Sequence, residues 1–171
     1  MNKEKTNRVL EYFDELFPDA YCELNHESDF QLLVAVMLSA QTTDKKVNQL
    51  TENLFKKYPT VEAVSQASLP ELEQDIKTIG LYRNKAKNLL ALSHVLIEQF
   101  DGIVPSDQKQ LESLPGVGRK TANVVRSVAF DIPAFAVDTH VERISKRLGF
   151  AKRDDNVLTV EKKLCRSIPR N

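Results

Sequence analysis

Apolar residues recur at three- and four-residue spacing along almost the whole chain, and no stretch alternates apolar and polar positions in the manner of a strand. Val9, Leu10, Phe13, Leu16 and Phe17 predict a helix over 3–17 that stops at Pro18. Ser28-Asp29-Phe30-Gln31 reads as a capping box opening an almost wholly apolar helix that runs to about Ala40. A helix apolar on all sides belongs at the centre of a domain. The same spacing predicts helices over 43–57, 60–66, 70–78, 83–99, 107–113, 119–129, 139–148 and 156–167, with Ser68-Leu69-Pro70-Glu71 as a second capping box. Gly80, Gly102 and Gly149 follow predicted helices, and Gly116 and Gly118 sit in a short interhelical turn. The expected class is all-α, without repeats or low-complexity tracts.

Composition narrows this only moderately. The 171 residues suit one domain or two small ones, with ample apolar content for a core. Cys22 and Cys165 stand far apart with no CxxC spacing, which favours reduced cytoplasmic thiols. The N-terminal residues lead into a charged helix with no apolar targeting segment, and the longest uncharged run, Phe30 to Thr43, is too short to span a bilayer. The 24 basic and 24 acidic residues cancel, yet they are unevenly placed. From Pro115 to Arg153 there are eight Lys/Arg against three Asp/Glu, a net of +5, which leaves 16 against 21, or −5, elsewhere. One basic stretch in a neutral chain fits a nucleic-acid contact surface, although basic residues on a helix such as 139–148 can also serve solubility alone.

The candidate chemistry lies in that stretch. Leu114-Pro115-Gly116-Val117-Gly118-Arg119-Lys120 reads as a glycine hairpin between two helices, with a lysine just inside the second. Such a turn, followed by a helix start, directs backbone amides outward as donors for a phosphate oxygen. An ordinary αα-turn favours the same residue types. The motif follows no strand and lacks P-loop spacing, so a nucleotide triphosphatase is not indicated. Lys120 is poorly placed for a purely solvating lysine, because the positive end of a helix disfavours an ammonium by about a few tenths of a kcal/mol. The same field favours the neutral amine that nucleophilic or Schiff-base chemistry requires.

Twenty residues on, Ala136-Val137-Asp138-Thr139-His140 places a carboxylate at the start of another helix. N-capping is the commoner role for such an Asp, and it is compatible with chemistry: a cap fixes one oxygen and leaves the other to act.

Together with Thr121-Ala122-Asn123-Val124-Val125, Arg143, Leu38-Ser39-Ala40-Gln41-Thr42-Thr43-Asp44 and Thr78-Ile79-Gly80-Leu81-Tyr82-Arg83-Asn84-Lys85-Ala86, these motifs resemble the endonuclease III family of DNA glycosylases. That family carries a helix-hairpin-helix and a Gly/Pro-Asp signature, and the resemblance runs nearly end to end. It implies a six-helix domain near 20–132 containing the hairpin (about 107–129). A second, incomplete helical lobe would form from 1–19 and 133–171, with a DNA-binding cleft between the two. The implied activity is base-excision repair: removal of oxidised or ring-saturated pyrimidines, and cleavage 3′ of the abasic site through a lysine Schiff base. Lys120 would be the nucleophile and Asp138 the charge-stabilising acid. Gln41, Ile79 and Leu81 would fill and wedge the duplex where the nucleotide leaves it. Gly116, Val117, Gly118, Arg119, Thr121, His140 and Arg143 would contact DNA. The expected partner is double-stranded DNA bearing damaged pyrimidines or abasic sites, bound by a cytoplasmic, nucleoid-associated monomer with no membrane contact.

One departure stands out. The family pattern continues past Asn171 into four cysteines that hold an iron–sulfur (4Fe–4S) cluster, and Cys165 matches none of them. The expectation is therefore no metal site and no cofactor on these residues, with apolar side chains exposed on helices 139–148 and 156–167. A DNA-binding module without catalysis is the alternative reading. A helical protein-interaction domain would leave Lys120 and Asp138 unused.

Overall fold

The computed structural model describes residues 3–169. Met1, Asn2, Arg170 and Asn171, which the expected second lobe includes, lie outside the described residues. Among the described residues there are ten α-helices and no strand, as the spacing of apolar positions predicts. They are α1 (Lys3–Leu16), α2 (Asp29–Leu38), α3 (Asp44–Lys57), α4 (Val61–Ser65), α5 (Leu69–Ile76), α6 (Tyr82–Phe100), α7 (Gln108–Ser113), α8 (Arg119–Ala129), α9 (Thr139–Leu148) and α10 (Val157–Ser167).

The chain forms two compact units, one of Glu23–Asp131 and one of Met1–Cys22 with Ile132–Asn171. The first unit holds seven helices, α2 to α8, as the apolar spacing predicts, where the family resemblance implies six. The short α4 is a helix in its own right, begun by the Thr60 side chain accepting from the Ala63 amide. Helix α2 is the centre of this unit. Nine of its ten residues are buried, and it packs against α3, α6 and α8. Burial of so apolar a segment is the main favourable term for the unit. Helix α6 in turn packs on α4 and α5, and α7 on α8.

The caps follow the sequence with one adjustment. Ser68 and Glu71 form the reciprocal capping box that starts α5. At α2 the Ser28 hydroxyl accepts from the Gln31 amide, but the Gln31 side chain reaches back to the Glu27 amide at 2.9 Å, one residue before the cap. Gln31 thus ties the incoming chain rather than closing a box.

The second unit is small. Val137, Phe150, Ala151, Val160 and Leu164 form its core, and Val9, Phe135, Val141, Leu148 and Ile168 pack around them. Of the apolar face expected for α1, Val9 joins this cluster, whereas Leu16 and Phe17 at the helix end are exposed. Ile144 of α9 and Val157 and Leu158 of α10 are exposed as well.

Candidate active site and nucleic-acid interface

The hairpin runs from α7 through Leu114–Gly118 into α8. Leu114 and Val117 are buried and anchor the turn, and the Val117 amide donates to the Leu114 carbonyl at 3.1 Å. Val117, a candidate DNA contact, therefore spends its side chain on the core and its amide on the turn. Gly116 has φ +77, and a Cβ there would stand 2.9 Å from Asn88 Cβ and 3.0 Å from Met37 Sδ. The turn is pressed onto α2 and α6 at a point where only glycine fits.

Gly118 differs. Its backbone is extended, with φ −92 and ψ 176, and a Cβ built on it would meet nothing within 4 Å. Of the two hairpin glycines only Gly116 takes a left-handed backbone. Gly118 is the N-cap of α8 and supplies no side-chain cap, so open space adjoins a helix start whose first-turn amides lie outside the helical ladder. Arg119 and Lys120 follow directly and are exposed, and Thr121 is half-buried. Arg119 Nη1 lies 3.5 Å from Glu112 Oε1, an ion pair between α8 and α7. Gln108 extends this tie, donating to Glu112 and Asn123 and accepting from Arg126.

Asp138 belongs to the second unit and caps α9. Its Oδ1 accepts from the amides of His140 and Val141, each at 2.9 Å, and its Oδ2 lies 3.6 Å from His140 Nδ1. The capping role read from the sequence is present: one oxygen holds the helix start and the other faces an exposed histidine. Arg143, one turn further along, is exposed. Within the basic stretch Lys146 pairs with Glu142 at 2.6 Å, and Arg119 pairs with Glu112 just outside it.

Gln41, Ile79 and Leu81 lie in the first unit. Gln41 and Leu81 are both exposed and both in the left-handed region, with φ 55 and φ 59. Residues bearing a Cβ adopt this region uncommonly, and it costs them free energy. The glycine beside Leu81, Gly80, does not take a positive φ. Ile79 is only 3% exposed and belongs to the core, so its side chain is not presented at the surface.

The pattern-based reading missed Lys85. It is 5% exposed, yet its ammonium donates to the carbonyls of Leu38 (2.8 Å) and Ala40 (2.7 Å) and to the Thr42 hydroxyl (3.0 Å). Burial pushes its pKa below the usual lysine value. A signal was present: Lys85 occupies the same helical register as the buried Leu89, Leu92 and Leu96, a charged residue in an apolar stripe.

A family model for "HhH-GPD superfamily base excision DNA repair protein" matches residues 34–170. The chain belongs to the HhH-GPD superfamily. It is 55% identical to endonuclease III of Bacillus subtilis over 170 residues, covering 99% of this chain and 78% of that protein. Its fold superposes with a TM-score of 0.94 on a trapped endonuclease III–DNA covalent intermediate, an estranged-adenine complex, at 56% identity over 99% of this chain and 80% of that one. A non-covalent endonuclease III–DNA complex matches with the same TM-score of 0.94 at 55% identity, covering 99% of this chain and 79% of that one. All of the candidate residues, from Gln41 to Arg143, fall within the segment matched by the HhH-GPD model.

The residues of this chain do not fit an iron–sulfur cluster. Such clusters take four thiolates, and the sequence has two cysteines, both free and half-buried. Among the described residues no group of three or more His, Cys, Asp or Glu could hold a metal ion. None of the described helices is long and apolar enough to cross a membrane.

Proposed function

We propose that this chain is a bifunctional DNA glycosylase and abasic-site lyase of base-excision repair, acting on duplex DNA with oxidised or ring-saturated pyrimidines. The observation that carries the reading is Lys120, exposed in the first turn of α8 two residues after the open Gly118 cap, in a chain 56% identical to a protein trapped covalently on DNA.

The damaged nucleotide leaves the stack, at a cost of about a few kcal/mol that is lowest for a base already stacking poorly. The Lys120 amine attacks C1′, the glycosidic C1′–N bond breaks, and the base leaves with the bonding electron pair and takes up a proton. Opening of the sugar gives an iminium at C1′. Loss of a C2′ proton then drives β-elimination: the C3′–O bond breaks, the phosphate departs, and the strand is cut 3′ of the lesion. Water hydrolyses the imine and restores the amine. The Asp138 carboxylate stabilises the positive charge that builds on the sugar and assists proton transfer, a role suited to an oxygen beside a fixed helix start.

Gln41 fills the space the nucleotide vacates, and Leu81 wedges against the facing strand, since apolar side chains inserted between bases hold a kinked duplex. Their exposed, left-handed positions support this assignment; the burial of Ile79 limits it to a backing role. Open space at Gly118 supports phosphate binding by the hairpin with Gly116, Arg119 and Thr121, and the exposure of His140 and Arg143 supports contacts along the second unit. With chromosomal DNA as substrate, the protein works in the cytoplasm at the nucleoid, as a monomer.

Borohydride reduction on a duplex with one thymine glycol or one abasic site tests this directly. Wild type should yield a covalent adduct and Lys120→Ala none, with circular dichroism showing both folded. An adduct that survives Lys120→Ala would refute the assignment of the amine. A folded wild type that binds the duplex and yields no adduct would instead make the chain a binding module without catalysis.

A further inference from the structure

Lys85 is a buried cation that the steps above do not use, and its contacts join two exposed positions, Gln41 and Leu81, that carry a left-handed backbone. It lies four residues after Leu81, and its amide donates to the Leu81 carbonyl at 3.0 Å, closing the first turn of α6. Leu81 is the N-cap there and supplies no side-chain bond of its own. At its other end the Lys85 ammonium holds the carbonyl of Leu38, the last residue of α2, together with Ala40 O and Thr42 Oγ1.

Ala40 and Thr42 flank Gln41. An ammonium has three protons, and all three are matched by acceptors within the segment 38–42. The carbonyls at the end of α2 carry the negative end of its dipole, which explains why a cation is tolerated there. Direct contact with a phosphate is not available to a group so enclosed and so fully bonded. What the ammonium does supply is shape: with the Thr42 amide bonded to the Ser39 carbonyl at 3.0 Å, it fixes the turn in which Gln41 takes φ 55. Left-handed backbone at residues with a Cβ persists where surrounding contacts enforce it.

We propose that Lys85 is a positioning residue for lesion recognition, fixing Gln41 and Leu81 relative to one another so that both enter the duplex in register. This rests on the reading of Gln41 and Leu81 as the inserted pair. An apolar residue of similar length would fill the same space in the core without defining the turn.

A double-mutant cycle tests it, using fluorescence anisotropy on a duplex with a non-cleavable tetrahydrofuran abasic analogue. Lys85→Met and Gln41→Ala should each weaken binding about tenfold, and the double variant should bind no more than about twofold more weakly than Gln41→Ala alone, because interacting groups are not additive. Independent losses that multiply in the double variant would overturn the proposal, leaving Lys85 as support for the fold at large and the reading of Gln41 intact. Wild-type binding by Gln41→Ala would remove that reading and this inference with it. If Lys85→Met lacks a cooperative melt, Thr42→Val replaces it in the cycle, with a loss of about threefold and the same dependence on Gln41 expected.

Discussion

Asn88 and Gly116 approach so closely that a methyl group on the glycine would stand 2.9 Å from Asn88 Cβ. The contact fixes the hairpin turn against α6, and the left-handed φ of +77 adds a second demand for glycine. Gly116→Ala should destabilise the first unit by about 2 kcal/mol, combining left-handed strain with overpacking. The check is the urea midpoint; a midpoint equal to wild type would show that the turn moves aside without cost.

Gly118 should behave in the opposite way. Its backbone suits any residue and a Cβ meets nothing, so Gly118→Ala should melt within about 0.5 kcal/mol of wild type. Its duplex affinity should nonetheless fall, because the methyl group would occupy the space beside the helix start that a phosphate approaches. Unchanged affinity in titrations at fixed salt would remove the hairpin from the binding surface.

Asp138 allows its two roles to be separated. Asparagine caps about as well as aspartate, so Asp138→Asn should keep the bonds to His140 and Val141 and change stability by less than about 0.5 kcal/mol. Without the carboxylate charge, single-turnover base release should slow by about 100-fold. A slowing that appears only with a matching loss of stability would assign Asp138 to capping alone.

The turn between α9 and α10 predicts a pH effect. Asp155 is held below the usual aspartate pKa, first by the Lys163 ammonium at 2.5 Å and then by the Lys152 amide at 2.6 Å. A depressed folded-state pKa means the stabilisation is complete above the unfolded value of about 3.9 and is lost as pH falls below it. Wild type should therefore exceed Asp155→Asn in denaturant midpoint at pH 6, with the gap closing as pH drops through 4 toward 3. A gap independent of pH would show that the charge of Asp155 does not matter.

Helix α5 offers a clean capping test. Ser68→Ala removes the hydroxyl that accepts from the Glu71 amide and donates to its carboxylate on an exposed turn, and should cost about 1 kcal/mol. Thermal denaturation reads this directly, and an unaltered midpoint would mean that the box contributes nothing net.

The ten helices were legible because their limits are written locally, in Ser28, Thr43, Ser68, Asp107, Asp138 and Asn156 at N-caps and in apolar spacing between them. The placement of Lys120 in the first turn of α8 and of Asp138 at the N-cap of α9 was legible too. What the sequence hid depends on contacts distant along the chain. Gly116 and Gly118 look equivalent as letters, yet only the first is hemmed in by Met37 and Asn88. Leu81 carries the left-handed φ that its neighbour Gly80 invites, and no propensity rule points to that choice. Lys85 resembles any surface lysine until Leu38, Ala40 and Thr42 are seen around it, 43 to 47 residues away along the chain.

Helix α2 has a consequence for how this protein opens. With nine of its ten residues sealed and neighbours on three sides, it has no side from which it can fray. Deuterium should reach its amides only when the whole Glu23–Asp131 unit comes apart, so their exchange rates report the global opening free energy of that unit. Exchange at the turn 39–42, by contrast, reports local release. The two clocks together would separate loss of the scaffold from loosening of the surface it presents.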